Sequence, residues 1–171
     1  MSREEIGTKI QGAVEYLTAN PAEARYTDSP ATARLADPGE LQVTVEGPDG
    51  ATLATDMPAS VGGANSAASP GWFLRAAAAA CLATLIGMRA AHVGIGLDSV
   101  EVTVDSESDD RGILGIDDGI PAGPLSTRVA IRVSSASADR ATIEEVCRWA
   151  VDHCPVTDAM RREVPLTVEV A

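Results

Sequence analysis

Three cysteines stand in this chain, and two of them have settings in which a thiol could do chemistry. Cys81 lies inside the apolar run Trp72-Phe73-Leu74-Arg75-Ala76-Ala77-Ala78-Ala79-Ala80-Cys81-Leu82-Ala83-Thr84-Leu85, and Cys154 lies in His153-Cys154-Pro155-Val156. A thiol reacts as its thiolate, and apolar surroundings raise its pKa and silence it. Two thiols that meet when their helices pack can cycle between dithiol and disulfide. Cys147 precedes Cys154 by two helical turns, about 10.5 Å along the axis. A disulfide spans Cα atoms within ~7 Å, so Cys147 reads as a small core residue instead.

The chemistry needs a charge, and the helix around Cys81 does not supply one locally. Arg75 lies about 9 Å before it along the axis and about 120° around the helix, and Arg89 about 12 Å after it. Neither is a neighbour at three or four residues, so an activating cation must come from another element or another subunit. Cys154 differs. If Pro155 opens a following helical turn, Cys154 caps it, and a helix N-terminus favours the thiolate. His92 and His153 are the only histidines, too few for a convergent imidazole metal site. His153 either shuttles a proton for Cys154 or is solvated at a helix end, and the second is the simpler reading. Asp109-Asp110 and Asp117-Asp118 lack the spacing and terminal Glu of a calcium loop. Trp72 and Phe73 read as packing at a helix entry.

These residues must be positioned by elements the pattern allows. Ser2 and Glu5 form a capping box, and Ile6, Ile10, Ala13, Val14 and Leu17 recur at helical spacing. That helix ends near Asn20-Pro21 and serves as an arm on the rest of the molecule or on a partner. Ala31 to Leu35 is a short strand, and Leu41 to Glu46 alternates as a half-buried one. Gly47-Pro48-Asp49-Gly50 is a turn, and Ala51 to Met57 returns as the hairpin's second strand. Pro58 to Ser69 is a loop. Ser69-Pro70 starts the long central helix with a cap and a first-turn proline, and the helix runs to about Ala91. Ser99 to Ser106 and Thr127 to Ser134 alternate as strands with one solvated face, joined by a polar loop from Glu107 to Gly123. Ser137 is the cap expected for a second helix with the apolar stripe Ile143, Val146, Cys147, Ala150, Val151 and Cys154. Pro155 closes it. A short helical turn around Thr157 to Arg162 and a final strand, Val164 to Val170, complete the chain. The order predicts an α+β fold, an antiparallel sheet packed on two core helices.

Composition bounds the function. The 171 residues suit one domain with an arm, and apolar residues make up 45 % of them. The net charge is −12 and the pI about 4.4. That balance disfavours nucleic acid and anionic membrane surfaces as partners. The longest uncharged apolar stretch, Ala76 to Met88, is shorter than the ~20 residues a bilayer span needs. No signal-peptide pattern opens the sequence. An odd cysteine count argues against a disulfide framework, so a reducing cytoplasm is expected, with any disulfide transient and catalytic.

Ser69 to Thr84, with Cys81 near its end, resembles the signature helix of the OsmC/Ohr family, the osmotically inducible and organic hydroperoxide resistance proteins. Gly94-Ile95-Gly96-Leu97-Asp98-Ser99-Val100-Glu101-Val102 is similar to that family's exit from helix to strand. Ala136 to Val156, ending in Cys154-Pro155-Val156, resembles its second helix and second cysteine, and Thr55-Asp56-Met57 with Gly62-Gly63 is also similar. The resemblance covers residues 30–171 as an OsmC-like domain and leaves 1–29 as an N-terminal helical extension. It implies an intertwined homodimer with two active sites at the subunit interface, acting as a thiol-dependent peroxidase on organic hydroperoxides. Cys81 is then the attacking thiol and Cys154 the resolving one, through a sulfenic acid that condenses to a disulfide. An external dithiol, a lipoylated protein being one source, resets the pair without a bound cofactor or metal. An apolar pocket suits an alkyl peroxide, since each buried CH₂ is worth ~0.8 kcal/mol. The family's arginine comes from the N-terminal strand region, which makes Arg34 the candidate and Arg25 the second. The family commonly carries a Glu ten residues before the attacking cysteine, and here that position is Gly71. This departure keeps two other readings open, a non-catalytic dimer binding an apolar small molecule and a redox sensor.

Overall fold

The capping box at the N-terminus is formed. The Ser2 amide donates to Glu5 Oε2 (2.6 Å) and the Glu5 amide to Ser2 Oγ (3.2 Å), starting helix α1 (Arg3–Ala19) in a computed structural model that describes residues 1–170. Two compact units divide the chain. One is Tyr16–Leu74; the other joins Met1–Glu15 to the residues from Arg75 onward.

The first unit holds a three-stranded antiparallel sheet, β1 (Thr32–Leu35), β2 (Val43–Glu46) and β3 (Thr52–Thr55), in that order. The hairpin turn between β2 and β3 places Asp49 at φ 56° and Gly50 at φ 76°, the left-handed pair for which an Asp-Gly sequence is suited. β3 stops at Thr55, short of the expected Met57, because Asp56 turns inward. Its carboxylate accepts the Met57 amide (2.7 Å), the Ser66 amide (2.8 Å) and the Ser66 hydroxyl (2.7 Å). Gly63 then lies so close to the Met57 carbonyl that no Cβ fits there.

The second unit holds the long helix α2 (Pro70–His92) from Arg75 onward, β4 (Ser99–Glu107), a short α3 (Asp110–Ile113), β5 (Ser126–Ser134), α4 (Arg140–His153) and α5 (Pro155–Arg161). β4 and β5 pair antiparallel over their whole length, Ser99 opposite Ser134 and Glu107 opposite Ser126. Opposed charges mark the register on the outer face, Glu101 with Arg132 (2.5 Å) and Asp105 with Arg128 (2.6 Å), as directly opposite residues in a ladder should. On the inner face Val100, Val102, Ile131 and Val133 pack against a core of Ile86 and Ala90 from α2 and Val146 and Ala150 from α4.

α2 has 23 residues, about 35 Å at 1.5 Å per residue, enough by length and composition to cross a membrane. Here one face of it, Ala78, Leu82, Ile86 and Ala90, is buried in protein, and Arg75 and Arg89 fall within it.

Three expectations change. The single sheet is two separate antiparallel sheets, of three and two strands. Val164–Val170 is not a strand. Its apolar positions alternate, but alternation specifies a face and not a partner, and no edge among the described residues pairs with it. Ser137 is not the cap of α4. Asp139 is, accepting the Thr142 amide (2.9 Å), while Ser137 is bonded to the amide and carbonyl of Gly96.

Candidate functional site: a pair of neighbouring thiols

α2 carries Cys81 one position before the buried Leu82, so its side chain is half-buried on the flank of the packed face. Cys154 has a double position. It ends α4 and begins α5, with an extended backbone at φ −78° and ψ 112°. The chain breaks there for the anticipated reason: Pro155 excludes Cys154 from the helical region and suits the first position of the next helix. Cys154 is fully buried. The two thiols, 73 positions apart in sequence, are near enough for each to act on the other's ionisation, and all three cysteines are free.

The backbone around Cys154 faces its sulfur. The Thr157 amide donates to Cys154 Sγ at 3.5 Å, and the Thr157 hydroxyl donates to the Cys154 carbonyl at 3.3 Å. The Val156 amide acts on both sulfurs. These donors separate two chemically identical groups. Burial first, and then the thiol hydrogen bond to Cys154, holds the Cys81 thiol above its ordinary range. Burial also pushes Cys154 up, but the Thr157 amide and hydroxyl, the Cys81 thiol and the Val156 amide together outweigh it and bring Cys154 below its ordinary range. Donors that favour a charged form lower its pKa, whereas loss of solvent raises it.

The remaining candidates sit as follows. Arg34 belongs to the other unit, on β1, where its guanidinium bonds Glu46 across the sheet at 2.7 Å. Arg25 follows a 3-10 turn there and is exposed. Gly71 lies exposed in the first turn of α2. His153 donates from Nδ1 to the Trp149 carbonyl (2.7 Å) and stacks on the Trp149 ring at 4.2 Å, with Arg89 over that ring at 5.1 Å. This accounts for His153 as a structural helix-end residue. Asp109 caps α3 and pairs with Arg111. Cys147 is half-buried, with its thiol raised by burial and then by Glu144. It lines an open groove of about 830 Å³ between β5 and α4, apart from the pair. Sequence reasoning missed Thr157. The available signal was its place three residues after a capping cysteine, where a cap's side chain meets a free amide.

A family model for OsmC-like proteins matches residues 63–169. Among solved structures, an organic hydroperoxide resistance protein OsmC from Legionella pneumophila is 25 % identical, with 80 % of this chain and 90 % of that one covered and a TM-score of 0.57. The organic hydroperoxide resistance protein OhrB of Bacillus subtilis is 24 % identical over 79 % of this chain and 91 % of its own, with a TM-score of 0.52. An OsmC-like protein from Mycoplasma pneumoniae is 17 % identical over 80 % and 89 %, with a TM-score of 0.66. Against curated protein sequences the chain has no match.

Proposed function

This chain belongs to the OsmC-like protein family, and from that premise we propose that it is a thiol peroxidase that reduces organic hydroperoxides to alcohols in oxidative stress defence. The observation that carries the reading is the nearness of the Cys81 and Cys154 thiols, each of which acts on the other's ionisation. A sulfenic acid formed at Cys81 has its condensing partner close by, so resolution needs little search and the intermediate has little time to over-oxidise. Cys81 is the attacking residue because it is the less buried of the two, with Cys154 fully enclosed behind it. The apolar wall of α2 beside it suits an alkyl chain.

Arg34 is proposed as the cation of the site on the family resemblance. Its present bond to Glu46 is exposed at both ends, the kind of ion pair that contributes little and exchanges readily. No cofactor is required. An external dithiol, such as a lipoyl group on a protein, returns the disulfide to the dithiol. The reading includes a homodimer working in the cytoplasm. Gly71 favours a second reading. With no carboxylate at that position in α2, an OsmC-like dimer could hold an apolar molecule without turning over peroxide, or record oxidation once as a sensor.

One equivalent of cumene hydroperoxide added to reduced protein should give one equivalent of cumyl alcohol and a Cys81–Cys154 disulfide by peptide mapping. Cys81→Ser should lower peroxide consumption to the uncatalysed rate. If Cys81→Ser consumes peroxide as fast as the wild type, the peroxidase reading is wrong. An unmodified Cys81 with a copurified lipid would favour the binding reading.

A further inference from the structure

The open groove between β5 and α4 belongs wholly to the second unit and lies apart from the thiol pair. On α4, Arg140, Ile143, Glu144, Cys147 and Arg148 follow one another at helical spacing and share one face. The adjoining face carries Val146 and Ala150 into the core. Ile143 and Cys147 are left half-buried beside it, with the half-buried Ile131 and Val133 of β5 across the groove. The floor is therefore apolar. Its volume of about 830 Å³ falls in the range of roughly 300–1,000 Å³ that small-molecule sites occupy.

The rim reverses the charge of the molecule. The chain has 25 acidic residues against 13 basic ones, yet the groove is lined by Arg132, Arg140 and Arg148 against a single acid, Glu144. Arg132 is paired with Glu101 and Arg140 with Glu144, and all four of these side chains are more than half exposed. Ion pairs of that kind contribute little and exchange readily. Arg148 is exposed and has no hydrogen-bond or ion-pair partner among the described residues. Salt screens charges beyond about 8 Å, so these guanidiniums, and not the net charge of −12, decide what the groove holds.

We propose that the groove binds a free medium-chain fatty acid, its alkyl chain on Ile131, Val133, Ile143 and Cys147 and its carboxylate on Arg148. A guanidinium offers a carboxylate two parallel N–H donors, and Arg148 accepts one without breaking an existing ion pair. From Arg140 to Arg148 the face is about 12 Å long, enough to lay out a chain of several methylenes. A cationic amphiphile would meet three like charges there, and a neutral alcohol would lack the anchor. The site owes nothing to peroxide chemistry and stands whether or not the thiol pair turns over.

The test titrates the reduced full-length protein with sodium decanoate below its micelle concentration, by calorimetry. Alkylation of each cysteine by N-ethylmaleimide is followed in parallel by peptide mapping. One decanoate per chain should bind and should slow alkylation of Cys147, leaving Cys81 and Cys154 at their ligand-free rates. Octanoate should bind more weakly, by up to about fourfold for each methylene lost. Decanol should bind about tenfold more weakly than decanoate, and Arg148→Gln should bring decanoate down to the level of decanol. Absence of saturable binding overturns the proposal, as does decanoate bound equally well by Arg148→Gln. Decanoate that protects Cys81 instead of Cys147 sits at the thiol pair, and the groove proposal falls. Cys147 that is protected before any decanoate is added, and released on dilution, would make the groove an interface between copies and overturn it too.

Discussion

At the end of β3 the Asp56 carboxylate is only 1 % exposed and accepts bonds from Ser66 and Met57. The Ser66 amide, then the Ser66 hydroxyl, and further the Met57 and Ala64 amides, hold its pKa below the usual carboxylate value against the opposing effect of burial. A depressed folded-state pKa adds stability above the unfolded value of about 3.9, and that stability disappears as pH falls through the folded value. Asp56→Asn should therefore lower the denaturant midpoint at neutral pH, and the gap to wild type should close in strong acid. A gap that stays constant with pH would refute this account. The cap at Cys154 was legible from the chain alone, because a proline after a cysteine at the end of an apolar stripe leaves few alternatives, whereas the pairing of Cys81 with Cys154 was drawn from the family resemblance. Thr157 was not legible. Its effect runs through a backbone amide, which every residue has, and depends on where the second sulfur comes to rest.

Elements tell a similar story through α1. Its capping box and period were plain in the sequence, but not where it would dock. Docking turns on Gly7. A Cβ there would lie 2.5 Å from the Ala91 carbonyl oxygen, so the missing side chain lets α1 approach the end of α2 closely. Gln11 Oε1 and His92 Nε2 meet beside it at 2.9 Å. The arm thus lies on its own chain between Met1 and Glu15. Gly7→Val should cost roughly 1–3 kcal/mol by overpacking and speed hydrogen exchange in α1, while the Cys81–Cys154 disulfide still forms under peroxide. Unchanged exchange would mean that the close approach is not what holds the helix. Periodicity located β4, β5 and α4 closely because each buries one face in the same core. It misjudged Val164–Val170, where the pattern is present and the partner is not.

Across the whole molecule, apolar side chains remain in the open. On α2 Trp72 is 49 % exposed and Met88 38 %; past α5 Leu166 is 86 % exposed and Val170 94 %. Patches of this kind mark association, and an unpaired, strand-patterned segment invites an edge from another chain. The proposed homodimer uses both features, and its mass in solution should be twice 17.6 kDa. A monomer at micromolar concentration would reject that pairing. If the four alternating residues Val164, Leu166, Val168 and Val170 find their ladder only on a second copy, folding becomes a bimolecular event. The melting temperature should then climb with protein concentration, and simple dilution would act on this protein as a denaturant.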